Sequence, residues 1–312
     1  MTQFDAWFVT FSVIEGIICV FGPVLNGIVF YTFCKNPHLL TSQNMFILSI
    51  AFSDLSMSLV AVPMAWAANF KKKWPFGSTG CKIHAFLVFQ FGLVAITHLT
   101  AATVERYLTI SKSMTSSSLL SRRQTLLVIA VLWLYTLAFS VAPLIGFSRY
   151  DKEGLGASCS IVWDTDRSAD YVYFTFVFLG CFIAPVCLIL ACNTRLLLII
   201  KQLRLGMFNY HGQISEDIRR CFRQEKRALI RFSIMVFAFL TAYGPYAVVS
   251  VIVITRGSSA VHPVVLSMTA VFAKTSCVYN SLINVFSYER LRREAFKSVF
   301  FWKNSNAVYP HG

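Results

Sequence analysis

Lys274 is the residue that most constrains the chemistry of this chain. It sits in the run VFAKTSCVYN, with apolar neighbours on both sides and no nearby end to which its side chain can snorkel. An ammonium in such a place is neutral, paired with an acid, or chemically modified, and a desolvated lysine amine is the usual precursor of a Schiff base. Few other ionisable groups share apolar surroundings: Glu15, Asp54, His84, His98, and the adjacent pair Glu105 and Arg106. Each costs several kcal/mol in hydrocarbon unless it is paired, so each is a candidate functional residue. The cysteines divide in a similar way. Of the nine, Cys81, at the outer start of the third apolar run, and Cys159, in the long loop after the fourth, lie on what the charge pattern makes the oxidising side, and a disulfide between them is the natural reading, two free thiols being the alternative.

These residues have to be held by membrane-spanning helices. The chain has 312 residues, 56% hydrophobic and 13% charged, with a mean hydropathy of +0.62. Soluble domains carry about 25% charged residues, so a soluble enzyme is excluded. A spanning helix needs roughly 20 apolar residues, and such stretches fall near 7–33, 44–68, 79–108, 124–147, 169–200, 229–254 and 261–285. The expectation is an all-α bundle of seven spans forming one domain over 1–312. Residues 1–6 would lie outside, 7–285 would make the bundle, and 286–312 would make an amphipathic helix on the inner leaflet and a short tail. The first apolar run is too long for a signal-peptide core and continues as a span.

The formal charge of +14, from 28 Lys+Arg against 14 Asp+Glu, would suit nucleic-acid binding if it covered one soluble face. With the N-terminus outside, however, nineteen of the 28 fall on the inner segments. Lys71, Lys72 and Lys73 on an outer loop are the main exception. The charge then reads as a topological signal, and as a surface for an acidic cytosolic partner or anionic lipid. Nucleic acid drops out as a partner.

The ordered set of Gly22 and Asn26, LSIAFSD ending at Asp54, Cys81 with Cys159, Glu105-Arg106-Tyr107, Trp133, Pro185 and Gly244-Pro245-Tyr246 resembles the rhodopsin-type G-protein-coupled receptors over nearly the whole chain. Lys274, six residues before Asn280, matches the retinal-attachment lysine of opsins. The segment from Lys73 to His84 looks most like the neuropsin, peropsin and retinal-isomerase branch.

The resemblance implies a multi-pass protein of the plasma membrane that binds retinal, 11-cis or all-trans, as a Schiff base on Lys274. It is then a receptor rather than an enzyme, with a heterotrimeric G protein and arrestin as partners and lipid around the bundle. A retinal photoisomerase is the alternative. The protonated linkage needs a counterion. The position that carries a glutamate in vertebrate visual opsins, one turn after the span-three cysteine, is His84 here, so the outer-loop acid Glu153 becomes the main candidate and Glu15 the second. By position, Gly92, Phe178, Phe182, Phe239, Tyr243, Tyr246 and Ala270 would line the pocket with His84, and Tyr243 replaces the family's usual tryptophan. The resemblance offers no metal site. At the inner end, Arg106 would be latched to Glu225, and Asn26, Asp54 and Asn280 would form the polar core. The span-seven Asn-Pro-x-x-Tyr motif reads Asn280-Ser281-Leu282-Ile283-Asn284, and the span-five tyrosine is Asn193, so two switch tyrosines are lost.

Overall fold

In a computed structural model the described residues are 4–112, 119–209 and 216–300; side chains are also left undescribed at 203–209, 216–222, 224, 225, 228 and 298–300. Six helices are long and apolar enough to cross a membrane: Asp5–Lys35, Ser42–Phe70, Gly77–Lys112, Arg122–Leu144, Ser168–Gln202 and Leu229–Arg256. The seventh span is divided into Pro263–Lys274 and Ser276–Ser287, twelve residues each. A short helix, Glu289–Phe300, comes after it. The result is a seven-span bundle in a multi-pass membrane protein.

Local sequence explains where several elements start and bend. Ser121 and Gln124 form a capping box at the start of span four, each side chain meeting the other's backbone. Pro263 opens span seven, and the ring of His262 accepts from the Val264 amide. The break at Thr275 is also local. Its amide turns to the Phe272 carbonyl, a tight three-residue step, at 3.1 Å, and its hydroxyl bonds the same oxygen at 2.6 Å. The irregular turn therefore falls immediately after Lys274. Spans two and five each contain a π-helical turn, Met57–Ala61 and Leu179–Ile183, which hydrophobic periodicity does not reveal.

The bundle is apolar outside and polar at its centre. Val9, Val13, Ile17, Val20 and Val24 leave an exposed apolar stripe on span one. Glu15, Asn26, Asp54, Lys274 and Asn280 are all buried between helices. Close helix contact at one point needs a small residue: a Cβ on Gly22 would lie 2.6 Å from that of Ser58.

The all-helical expectation omits one element. Tyr150–Glu153 and Ser158–Ile161 form a two-stranded antiparallel hairpin, with Glu153 opposite Ser158 and Lys152 opposite Cys159. Cys159 is bonded to Cys81 at the start of span three, which ties the hairpin across the bundle mouth. Its turn rests on span seven, where the Leu155 amide donates to Ser267 Oγ at 2.9 Å. Gly154, at φ +55°, fits there because a Cβ would come within 2.7 Å of the Pro263 carbonyl oxygen. At the same end Lys72 pairs with Asp5 at 2.7 Å, so one of the three exceptional lysines is neutralised by the first turn of span one. That turn begins at Asp5, inside the 1–6 segment expected to precede the bundle.

The final helix packs through Leu291 and Ala295, while Phe296 is exposed. Val299 and Phe300 have no described side chain, and Phe301 lies outside the described residues.

Candidate functional site

Beneath the hairpin, spans three, five, six and seven line a cavity of about 120 Å³. Gly92, Phe178, Phe182, Phe239, Tyr243, Tyr246 and Ala270 all lie on its wall, and so does Lys274. His84 does not. It is wholly buried behind Ser158, with Nδ1 3.1 Å from the Ala61 carbonyl and Nε2 3.3 Å from Ser158 Oγ, and its ring lies against Trp74. The reason is the π turn of span two, which ends at Ala61 and presents its carbonyl toward span three. Gly92 also differs in detail. The room it leaves is filled by Tyr243, whose hydroxyl would be 3.0 Å from a Cβ at Gly92.

Tyr243 stacks on Phe239 at 4.4 Å between ring centres, and its hydroxyl accepts from Ser276 Oγ at 3.4 Å. A single aromatic ring thus joins span six to spans three and seven. Trp163, beyond the hairpin, lines the cavity and donates from its indole to the Tyr246 hydroxyl at 3.1 Å.

The lysine has specific partners. Lys274 Nζ donates to Glu15 Oε1 at 3.0 Å and to Ser158 Oγ at 3.1 Å, and both charged side chains are buried. The second Glu15 oxygen accepts from Asn69 Nδ2 at 2.7 Å. Glu153 is held differently. It is buried beside Ser160 and Tyr246, in hydrogen-bonding reach of both and close enough to feel the lysine's charge. Burial pushes its carboxyl up to about 7, against the opposing pull of Ser160, Lys274 and Tyr246. Of the two acids offered by the sequence, the second-ranked one, Glu15, makes the ion pair. Helical spacing alone does not place it there, because the contact depends on how span one leans toward span seven.

Three residues of the site, Asn69, Ser158 and Trp163, carry little signal in the sequence. Asn69 is an amide, so the cost of burying charge does not pick it out. Ser158 is legible in principle: it adjoins Cys159, so any strand tethered there carries it over the bundle mouth.

The opposite end of the bundle holds the remaining predicted residues. Asn280 Nδ2 donates to Asp54 Oδ2 at 2.9 Å, and Asn26 Nδ2 donates to the Cys277 carbonyl at 2.7 Å. Trp133 donates to Ser49 Oγ at 2.9 Å, and His98 rests its Nδ1 on the Val94 carbonyl at 2.9 Å, away from the cavity. Glu105 Oε1 accepts from Ser42 at 2.5 Å, from Thr109 at 3.1 Å and from the Leu119 amide at 3.1 Å. Arg106 is fully buried, its guanidinium 5.6 Å from the Phe232 ring centre, and Tyr107 packs at the edge of the cluster formed by Ile110, Leu196, Ile200 and Leu229. Glu225 lies on the span-six helix, but its side chain is outside the described residues, and so is the expected latch. Asn284 turns to the Asn280 carbonyl at 2.9 Å, and among the described residues the side-chain oxygens of Asn193 and Asn284 are buried without a hydrogen-bond partner.

The profile described as "7 transmembrane receptor (rhodopsin family)" matches residues 25–283. The chain is 34% identical to melanopsin of Rattus norvegicus over 277 residues, 87% of this chain and 57% of that protein. It is 30% identical to rhodopsin of Sepia officinalis over 310 residues, 96% of this chain and 65% of that protein. The crystal structure of squid rhodopsin superposes with a TM-score of 0.85 at 28% identity, covering 98% of this chain and 89% of that one. The chain spans between half and two thirds of the length of these curated relatives. Their names are melanopsin and rhodopsin; none carries the name of the branch expected from the segment Lys73 to His84. With a bundle of this topology and a profile match over most of its length, the chain belongs to the rhodopsin family of seven-transmembrane receptors, among the opsins.

Proposed function

We propose that the chain is a light-sensing, retinal-binding receptor, one domain over 1–312, in the plasma membrane with its N-terminus and hairpin outside. What supports the reading is the buried amine of Lys274 opening onto a mostly apolar cavity that includes several aromatic side chains. These residues fit retinal: one nucleophilic nitrogen at the wall, an acid beside it, and apolar side chains elsewhere. Retinal, as the 11-cis or all-trans aldehyde, would exchange its oxygen for the Lys274 nitrogen, with loss of water, and supply a light-driven change of shape.

The chain's own residues carry that change away from the cavity. Tyr243 and Phe239 form a stacked pair on span six, and Tyr243 is wedged between Gly92 and Ser276. A push on that ring moves span six against spans three and seven. The same helix carries Phe232 beside Arg106 at its far end, so the motion reaches the face that would receive a heterotrimeric G protein and then arrestin. Separation of Arg106 from its span-six neighbours would be the opening step there, with Glu225 as the expected acid of the latch.

The test is to purify the protein with 11-cis and with all-trans retinal, record spectra in the dark and after light, and measure light-dependent nucleotide exchange on several G proteins. A visible or near-ultraviolet pigment that is lost in Lys274→Ala and drives exchange is expected. Absence of a pigment, or one that survives Lys274→Ala, overturns the reading. A photoconverting pigment that activates nothing points to the retinal photoisomerase.

A further inference from the structure

The hydrogens around Lys274 can be assigned from acceptor chemistry. The Ala61 carbonyl can only accept, so His84 Nδ1, 3.1 Å away, carries a hydrogen. In the neutral ring Nε2 is then a lone pair facing Ser158 Oγ at 3.3 Å. Ser158 gives its hydrogen to that lone pair and accepts from Lys274 Nζ at 3.1 Å. Beyond the lysine nitrogen, the chain through Ser158 to His84 is uncharged. On the other side of the nitrogen stands Glu15, fully buried, with one oxygen on the lysine at 3.0 Å and the other on Asn69 at 2.7 Å.

An amine in its charged form has three hydrogens and satisfies both sides. Once the nitrogen is linked to retinal and protonated it has one, and that hydrogen goes to the stronger acceptor. A carboxylate accepts more strongly than a hydroxyl in a buried site.

We propose that Glu15, contributed by span one and held by Asn69 of span two, is the counterion of the protonated linkage at Lys274. This rests on the reading of Lys274 as the attachment residue. Glu153 is a second buried acid, seated in the hairpin beside Ser160 and Tyr246, and does not balance the charge of the linkage. The titratable groups facing the nitrogen are Glu15 from span one, His84 from span three and Glu153 from the hairpin, while the Cys277 thiol of its own span bonds the Lys274 backbone carbonyl. Tyr246 of span six lies beside Glu153. Glu15 is the one acid among these described residues in direct contact.

The experiment is a spectrophotometric pH titration of the retinal-reconstituted protein, full length in detergent, for wild type, Glu15→Gln, Glu15→Asp, Glu15→Ala, Glu153→Gln and Lys274→Ala. Glu15→Gln should lower the pH at which the visible band gives way to the ultraviolet one by about 1–3 units, a roughly tenfold to thousandfold easier deprotonation. Glu15→Asp, which keeps the charge, should recover most of that shift, and Glu15→Ala, which removes it, should show the same fall and replaces the glutamine variant if that one fails to fold. Glu153→Gln should move the transition by less than about half a unit. An unchanged transition in Glu15→Gln or its replacement Glu15→Ala, or the large fall in Glu153→Gln instead, overturns the assignment to Glu15. A wild type that forms no pigment, or a pigment retained in Lys274→Ala, fails the attachment reading itself.

Discussion

Glu153 shows how a buried acid can matter without touching the lysine. Burial raises it from an ordinary value near 4.5 to about 7, so between those values the folded chain keeps a proton that the unfolded chain has released. Stability therefore falls as pH rises through that window and is fully recovered below it. Glu153→Gln keeps the shape and removes the titration. Thermal unfolding of the retinal-free protein at about pH 5 and about pH 7.5 should show the variant losing less stability than wild type, by up to about 3 kcal/mol. Equal losses would mean that the proton is not held.

At the other end, Tyr288 lies one turn beyond the missing switch tyrosine. The Arg231 guanidinium sits 4.5 Å from its ring centre and Asn44 donates to its hydroxyl at 3.1 Å, which joins spans two, six and seven. Tyr288→Leu removes both contacts, worth about 1–2 kcal/mol together, and should raise dark nucleotide exchange by about five- to thirtyfold. Exchange at the wild-type level would show that these contacts do not hold the resting state.

Among the elements, the hairpin is the one on which the cavity depends. It supplies Glu153 and Ser158 to the site, leads into Trp163, and is fixed at two points, the Cys81–Cys159 bond and the seat of Gly154 on span seven. Cys159→Ser opens a cross-link between positions 78 residues apart, and should cost about 2–5 kcal/mol and lower the yield of folded protein, read by size-exclusion chromatography. Gly154→Ala is a finer probe. Its left-handed backbone and the crowding against Pro263 should cost about 1–3 kcal/mol, lowering the melting temperature by several degrees and accelerating loss of bound retinal in the dark. A melting temperature and dark decay equal to wild type would show that the turn can move off span seven freely. The divided seventh span is the second such element, because the irregular step at Thr275 comes directly after the lysine and frees the Lys274 carbonyl for the Cys277 thiol, 3.0 Å away.

In the whole molecule, the apolar exterior and polar centre are two sides of one constraint: hydrocarbon cannot satisfy charges, so they gather between helices and find one another. That constraint is why so much is legible in the sequence. Span number comes from the length of apolar runs, the odd status of Lys274 from the cost of a buried amine, and the disulfide from the side on which two cysteines fall. The walls of the cavity are legible as well, since Phe239, Tyr243 and Ala270 match the opsin pattern position by position. What the sequence leaves open is decided by angles and registers between distant segments. Two acids are candidates for the lysine, Glu153 through the opsin resemblance and Glu15 through its position on span one, and only the lean of span one against span seven brings one of them to 3.0 Å. His84 has the right helical position for the cavity wall, and only the π turn at Ala61 and the strand position of Ser158 draw it behind that wall. Composition and spacing determine which groups the membrane makes expensive; the tertiary structure determines which of them meet, because a shift of one helix by a few ångströms decides whether two buried charges pair or stay apart.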